Sequence, residues 1–159
     1  MPSFRRSKPP PPISLVRSDG TPSYEQRLAI IGRHLDLHRC AAACLLEVAD
    51  NYIVRSLGGG DGKPTLMEFV SEDFTDGGPD APRKPMASRL LPSGYEATFQ
   101  AVGRMLDDRS ALMIAVIECP SALQILGYEG DHAGGQLAHL PFELTLDDGA
   151  LRELVGGSA

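Results

Sequence analysis

Between residues 24 and 36 the apolar side chains recur at Tyr24, Leu28, Ile31 and Leu35. Steps of four, three and four put these residues on one stripe of an α-helix about four turns long. The same steps return at Tyr95, Phe99, Val102 and Leu106, which predicts a second helix. Each stripe follows a Pro-Ser pair, Pro22-Ser23 and Pro92-Ser93. A serine there accepts from the free N–H groups of the first turn. After each helix the period changes. Cys40–Val48 and Ala111–Cys119 are apolar runs of strand length, and Tyr52–Leu57 and Ala122–Glu129 read as their hairpin partners. Gly-rich stretches, Gly58–Lys63 and Gly130–Gln136, then lead to third strands at Thr65–Ser71 and Leu137–Leu146. One further helical turn is expected at Ala150–Val155.

The two passes also match in letters. Sliding residues 24–36 forward by 71 positions gives identity at six of thirteen: Tyr24/Tyr95, Glu25/Glu96, Gly32/Gly103, Arg33/Arg104, Leu35/Leu106 and Asp36/Asp107. Average residue usage predicts about one accidental identity over such a stretch. The expectation is therefore a tandem duplication of a helix–three-strand (αβββ) unit. About fifty residues with one amphipathic helix leave a sheet face or edge uncovered. Two units pairing about a pseudo-twofold axis solve this, giving one six-stranded antiparallel sheet with two helices on one face, an α+β fold. The expected organisation is a basic Pro-rich arm at 1–22, repeat 1 at 23–76, a linker at 77–92 and repeat 2 at 93–155. The arm is read as disordered or polyproline. The linker holds three prolines and two glycines between Gly77 and Ser88.

Composition narrows the setting. The chain has no run near the ~18 apolar residues a membrane span requires, and four prolines follow Arg5, Arg6 and Lys8 where a signal peptide needs its apolar segment. A cytoplasmic location without membrane contact is expected. Three cysteines, Cys40, Cys44 and Cys119, are too few for a disulfide framework and read as reduced thiols. Residues 1–18 carry +4 and no acid; the whole chain is −6, which leaves −10 on residues 19–159. A body this acidic repels a phosphate backbone, so the folded part is not expected to bind nucleic acid.

Candidate chemistry is sparse. His34, His38, Cys40 and Cys44 form the one cluster with metal-ligand side chains, and zinc is the one cofactor considered. His34 and His38 are four apart, on one helical face. Against zinc, repeat 2 has Met105, Arg109, Ala111 and Ala115 at those places, there is no CxxC, and buried thiols account for the cysteines equally well. No cofactor is the default. Gly58-Gly59-Gly60-Asp61-Gly62-Lys63-Pro64 resembles a phosphate loop only on the surface, because the glycine spacing is wrong and a strand follows. Glu47 and Glu118 are equivalent carboxylates that an axis of symmetry could pair for acid–base chemistry, with solvated strand-end glutamates as the bland reading. Arg33/Asp36 and Arg104/Asp107 read as intra-helix ion pairs. His132 falls in the second Gly-rich loop. The mid-helix glycines, Gly32 and Gly103, each cost about 1 kcal/mol against alanine, so close packing against a neighbour is expected there.

No nucleophile or metalloprotease signature is present. The sequence therefore points away from an enzyme and toward a protein-interaction or adaptor module with a protein partner, self-association left open. The alternative is a small-molecule or metal-binding regulatory domain using the cleft between the repeats.

Overall fold

The computed structural model describes residues 23–49, 51–58, 62–75, 78–79, 94–131 and 138–156. The expected arm, Ser93, His132 and all of the expected linker but residues 78–79 lie outside these. In chain order the elements are α1 (Tyr24–Leu37), β1 (Cys40–Val48), β2 (Asn51–Gly58), β3 (Pro64–Phe69), a 3₁₀ turn (Ser71–Phe74), α2 (Gly94–Asp108), β4 (Ala111–Glu118), β5 (Ala122–Asp131), β6 (Ala138–Asp147) and α3 (Asp148–Gly156). All six strands join one open antiparallel sheet in the order β3-β2-β1-β4-β5-β6. The fold is α+β.

Local chemistry explains most boundaries. The Ser23 hydroxyl accepts from Gln26 N and starts α1. Arg39 and Ser110 sit at φ 54° in both helix-to-strand turns, left-handed positions that reverse the chain after the last helical carbonyls are used. Two ends differ from the pattern of the sequence. β3 stops at Phe69 rather than Ser71, because Asp73 accepts from the Val70 amide at 2.7 Å and winds the chain into a turn that buries Phe74. At the C-terminus there is a full helix, α3, rather than one turn; Asp147 accepts from Ala150 N at 2.8 Å, and Leu151 is buried.

The helical stripes are the core. Tyr24, Leu28, Ile31, Leu35, Tyr95, Phe99, Val102 and Leu106 are all at most 1% exposed and meet one face of the sheet. Each such side chain contributes roughly 1.5–3 kcal/mol of transfer free energy before chain entropy is subtracted.

α1 and α2 pack side by side and antiparallel, with the middle of each against the first turn of the other. A Cβ built on Gly32 would lie 2.6 Å from the Tyr95 carbonyl oxygen, and one on Gly103 would collide with the Tyr24 carbonyl. The glycines are thus packing positions, each facing backbone rather than the other glycine. The close approach brings polar groups with it. Asp36 accepts from Tyr95 N (2.9 Å) and Glu96 N (3.0 Å), and Asp107 accepts from Tyr24 N (2.9 Å) and Glu25 N (3.0 Å). Arg33 pairs with Glu96 at 2.9 Å and Arg104 with Glu25 at 2.8 Å. This corrects the expectation of intra-helix ion pairs: each acid caps the partner helix, and each arginine bridges to it. Burial pushes the Asp36 carboxyl up, and the two amides it accepts from offset part of that rise.

Candidate functional site

The sheet's two halves meet at the β1–β4 seam, which is short. Only Cys44↔Ile117, Leu45↔Val116 and Leu46↔Ala115 pair across it, and both strands are irregular beside the seam, between Cys40 and Ala42 and between Leu112 and Ala115. Glu47 and Glu118 complete it. Glu47 Oε1 accepts from Ile114 N at 3.1 Å and from the Tyr24 hydroxyl at 2.6 Å. Glu118 Oε1 accepts from Ala43 N at 3.1 Å and from the Tyr95 hydroxyl at 2.6 Å. Glu47 Oε2 also receives the Tyr52 hydroxyl at 3.3 Å and lies 3.9 Å from the Arg27 guanidinium. The reading of solvated strand-end glutamates is therefore corrected for Glu47, whose side chain is 7% exposed, and both carboxylates stitch seam amides to helix phenols. Burial, followed by the Glu118 carboxylate, pushes the Tyr95 phenol far up, so it remains a donor to that carboxylate. Glu47 accepts on both of its oxygens and Glu118 accepts twice on Oε1, bonds that tie the seam to the two helices.

The expected metal cluster is not brought together. Cys40 is buried on the helix-facing side, where it accepts from the Ser56 hydroxyl at 3.2 Å, and burial pushes its thiol up. Cys44 is exposed on the opposite side, because it alternates with buried Leu45. His34 and His38 stay one helical turn apart, with ring centroids 6.5 Å apart and nearly parallel. Among the described residues no group of three or more His, Cys, Asp or Glu is arranged to hold a metal ion. The two histidines instead line a shallow cavity of about 290 Å³ with Met67, Glu68, Phe69 and Asp73. Burial, then the neighbouring His38, holds the His34 imidazole below its usual range, and its ring stands 5.1 Å from that of Phe69.

The Gly58–Lys63 stretch joins the antiparallel strands β2 and β3, with Gly58 N donating to Lys63 O and Gly62 N to Gly58 O, both at 2.8 Å. Residues 59–61 lie outside the described residues, and the described ends of this stretch link two antiparallel strands rather than lead into a helix. Nor does the junction between the helices form a cleft at the two glycines, where backbone meets backbone.

The feature that sequence reasoning missed is the face of the sheet turned away from α1 and α2. Register aligns Glu68, Ile53, Leu46, Ala115, Leu126 and Glu143 in one row across β3, β2, β1, β4, β5 and β6. The row has four apolar side chains in the middle and a carboxylate at each end. Leu46 is 47% exposed, and both glutamates are exposed. Leu66, Leu57, Val48 and Tyr128 add exposed apolar surface on the same face. A signal was present in the doublets Leu45-Leu46, Ile53-Val54 and Ile125-Leu126. Strands that are apolar on both parities are built to be covered on both faces.

No described helix is long and apolar enough to cross a membrane. No family model, curated protein or solved structure matches the chain.

Proposed function

We propose that this protein is a non-enzymatic interaction module, an adaptor that docks a protein partner on the open face of its sheet. One observation carries the reading: the apolar row centred on Leu46 and Ala115 lies on the side of the sheet that α1 and α2 leave uncovered. Exposed contiguous apolar surface of this kind marks an interaction site more often than an accident of folding. Behind it we place a duplicated αβββ scaffold with a pseudo-twofold axis at the β1–β4 seam. The reciprocal contacts support this: Asp36 and Asp107, Arg33 and Arg104, Gly32 and Gly103, and Glu47 and Glu118 each make the same kind of contact with the other half. The inward faces are consumed by these contacts, and the outward face remains for binding.

The test is Leu46→Asp, alone and with Leu126→Asp. Both variants are expected to keep the far-ultraviolet spectrum and urea midpoint of the parent while losing a partner that the parent captures from its native host. Recovery of the same partner by a folded double variant would overturn the reading. A second reading, a regulatory domain for a small molecule, is favoured by the cavity that His34, His38 and Phe69 line. A rise in thermal midpoint with a compound from a small-molecule panel, abolished by His34→Gln, would select it.

A further inference from the structure

The outermost strands of an open sheet turn every second residue's backbone groups away from their neighbour. On β3 the bond from Gly58 N to Lys63 O, 2.8 Å long, fixes which residues these are. It makes Gly58 and Lys63 a bonded pair. Alternation along the register then gives Thr65, Met67 and Phe69 the bonds to β2 and turns Pro64, Leu66 and Glu68 outward. β3 ends the strand order on its side, so among the described strands none takes up those outward groups. The next outward residue is Val70, whose N–H and C=O are both bonded to Asp73, at 2.7 and 2.9 Å. A short open edge remains: the N–H and C=O of Leu66 and of Glu68, and the C=O of Pro64, which has no N–H. Leu66 is 62% exposed there. The opposite edge, β6, is blunted by Pro141 in mid-strand.

The cavity lined by His34, His38, Met67 and Phe69 lies beside this edge. Its volume, about 290 Å³, is at the ~300 Å³ lower limit of small-molecule sites and suits a single side chain. The rings of Phe69 and His34, 5.1 Å apart, give it an aromatic wall. We propose that the β3 edge takes an extended segment of a partner protein as a seventh, antiparallel strand, with one aromatic side chain seated in this cavity. Strand addition draws affinity from main-chain bonds and specificity from alternate side chains. The residue that pairs with Met67 points to the same face as Met67, and so into the cavity. The residues on either side of it pair with Glu68 and Leu66 and exchange both backbone bonds with them. Cross-strand pairing makes the first of these basic and the second apolar. From its N-terminus the segment therefore reads basic, aromatic, apolar. The antiparallel direction continues the rest of the sheet and is the more stable per residue. This main-chain site does not rest on the docking role of the outer face.

The probe is the peptide acetyl-Lys-Phe-Val-Thr-Val-amide, titrated into the full-length chain and followed by backbone amide chemical shifts. Its Lys pairs with Glu68, its Phe with Met67 and its first Val with Leu66. Saturable shifts are expected at Leu66, Met67 and Glu68, and hydrogen exchange of the Leu66 and Glu68 amides should slow. N-methylation of the first Val removes a donor that faces β3 and should weaken binding by about tenfold or more. N-methylation of the Phe blocks an amide that faces solvent and should change binding by less than about threefold. Glu68→Lys should make the peptide that begins with Glu the tighter binder of the two. Equal losses from the two N-methyl groups overturn strand addition, since a side chain held by the cavity alone is indifferent to which amide is blocked. Shifts centred on Leu46 and Ala115 overturn it in favour of the outer face, and failure to saturate at millimolar peptide overturns it outright.

Discussion

Replacing Gly32 or Gly103 with alanine should destabilise the protein, against the direction that helix propensity alone dictates. In an exposed helix the change gains about 1 kcal/mol. Here the new methyl group of Gly32→Ala would sit 2.6 Å from the Tyr95 oxygen and 2.8 Å from both the Tyr95 carbonyl carbon and the Glu96 Cα. Ordinary carbon contacts begin near ~3.5 Å, so α2 must retreat by something under 1 Å. The atoms in the way are backbone and cannot rotate aside. Retreat also stretches the two Asp36 bonds to Tyr95 N and Glu96 N and the Arg33–Glu96 pair. Overpacking costs ~1–3 kcal/mol and a weakened cap ~0.5–2 kcal/mol. After the propensity gain a net loss of about 0.5–4 kcal/mol remains. Urea unfolding followed by circular dichroism reads this as a lower midpoint at unchanged slope. The double variant should lose less than the sum, because either methyl already forces the same two helices apart. Gly149→Ala is the control: its Cβ would meet nothing closer than 3.6 Å, so it should be neutral or stabilising. A gain in stability from Gly32→Ala or Gly103→Ala would refute the close-packed helix pair.

Two further outcomes follow from half-buried polar groups. Glu118→Ala should cost about 1–3 kcal/mol for each donor left without an acceptor, the Ala43 amide and the Tyr95 hydroxyl, and hydrogen exchange should rise first at Ala43 beside the seam; unchanged exchange there would remove Glu118 from the seam. Because His34 is held below its usual pKa, protons bind the unfolded chain preferentially, so its contribution is complete above the unfolded value near ~6.5 and is lost as pH falls through it. The stability of the parent should therefore drop more steeply than that of His34→Gln between about pH 7 and 5.5, and parallel curves would contradict the assignment.

Helices, strands and the α+β class were legible along the chain because periods of 3.6 and 2 report which residues face a core, whatever that core contains. Cys40–Val48 was bounded to the residue, and the glycines at 32 and 103 announced a close approach through their helix cost alone. The tertiary structure decided the rest, since it depends on distances between elements far apart in sequence. Asp36 and Asp107 read as local ion-pair partners until antiparallel packing set them over the opposite helix's first turn. Glu47 looked solvated because its burial comes from a seam with three residue pairs and from Tyr24 above it. His34, His38, Cys40 and Cys44 are neighbours in sequence, but the irregularity between Cys40 and Ala42 breaks the alternation of β1 and leaves the two thiols on opposite faces of the sheet. The apolar row ending in Glu68 and Glu143 exists only through five strand registers, and a slip of one residue in any of them would turn part of it into the core.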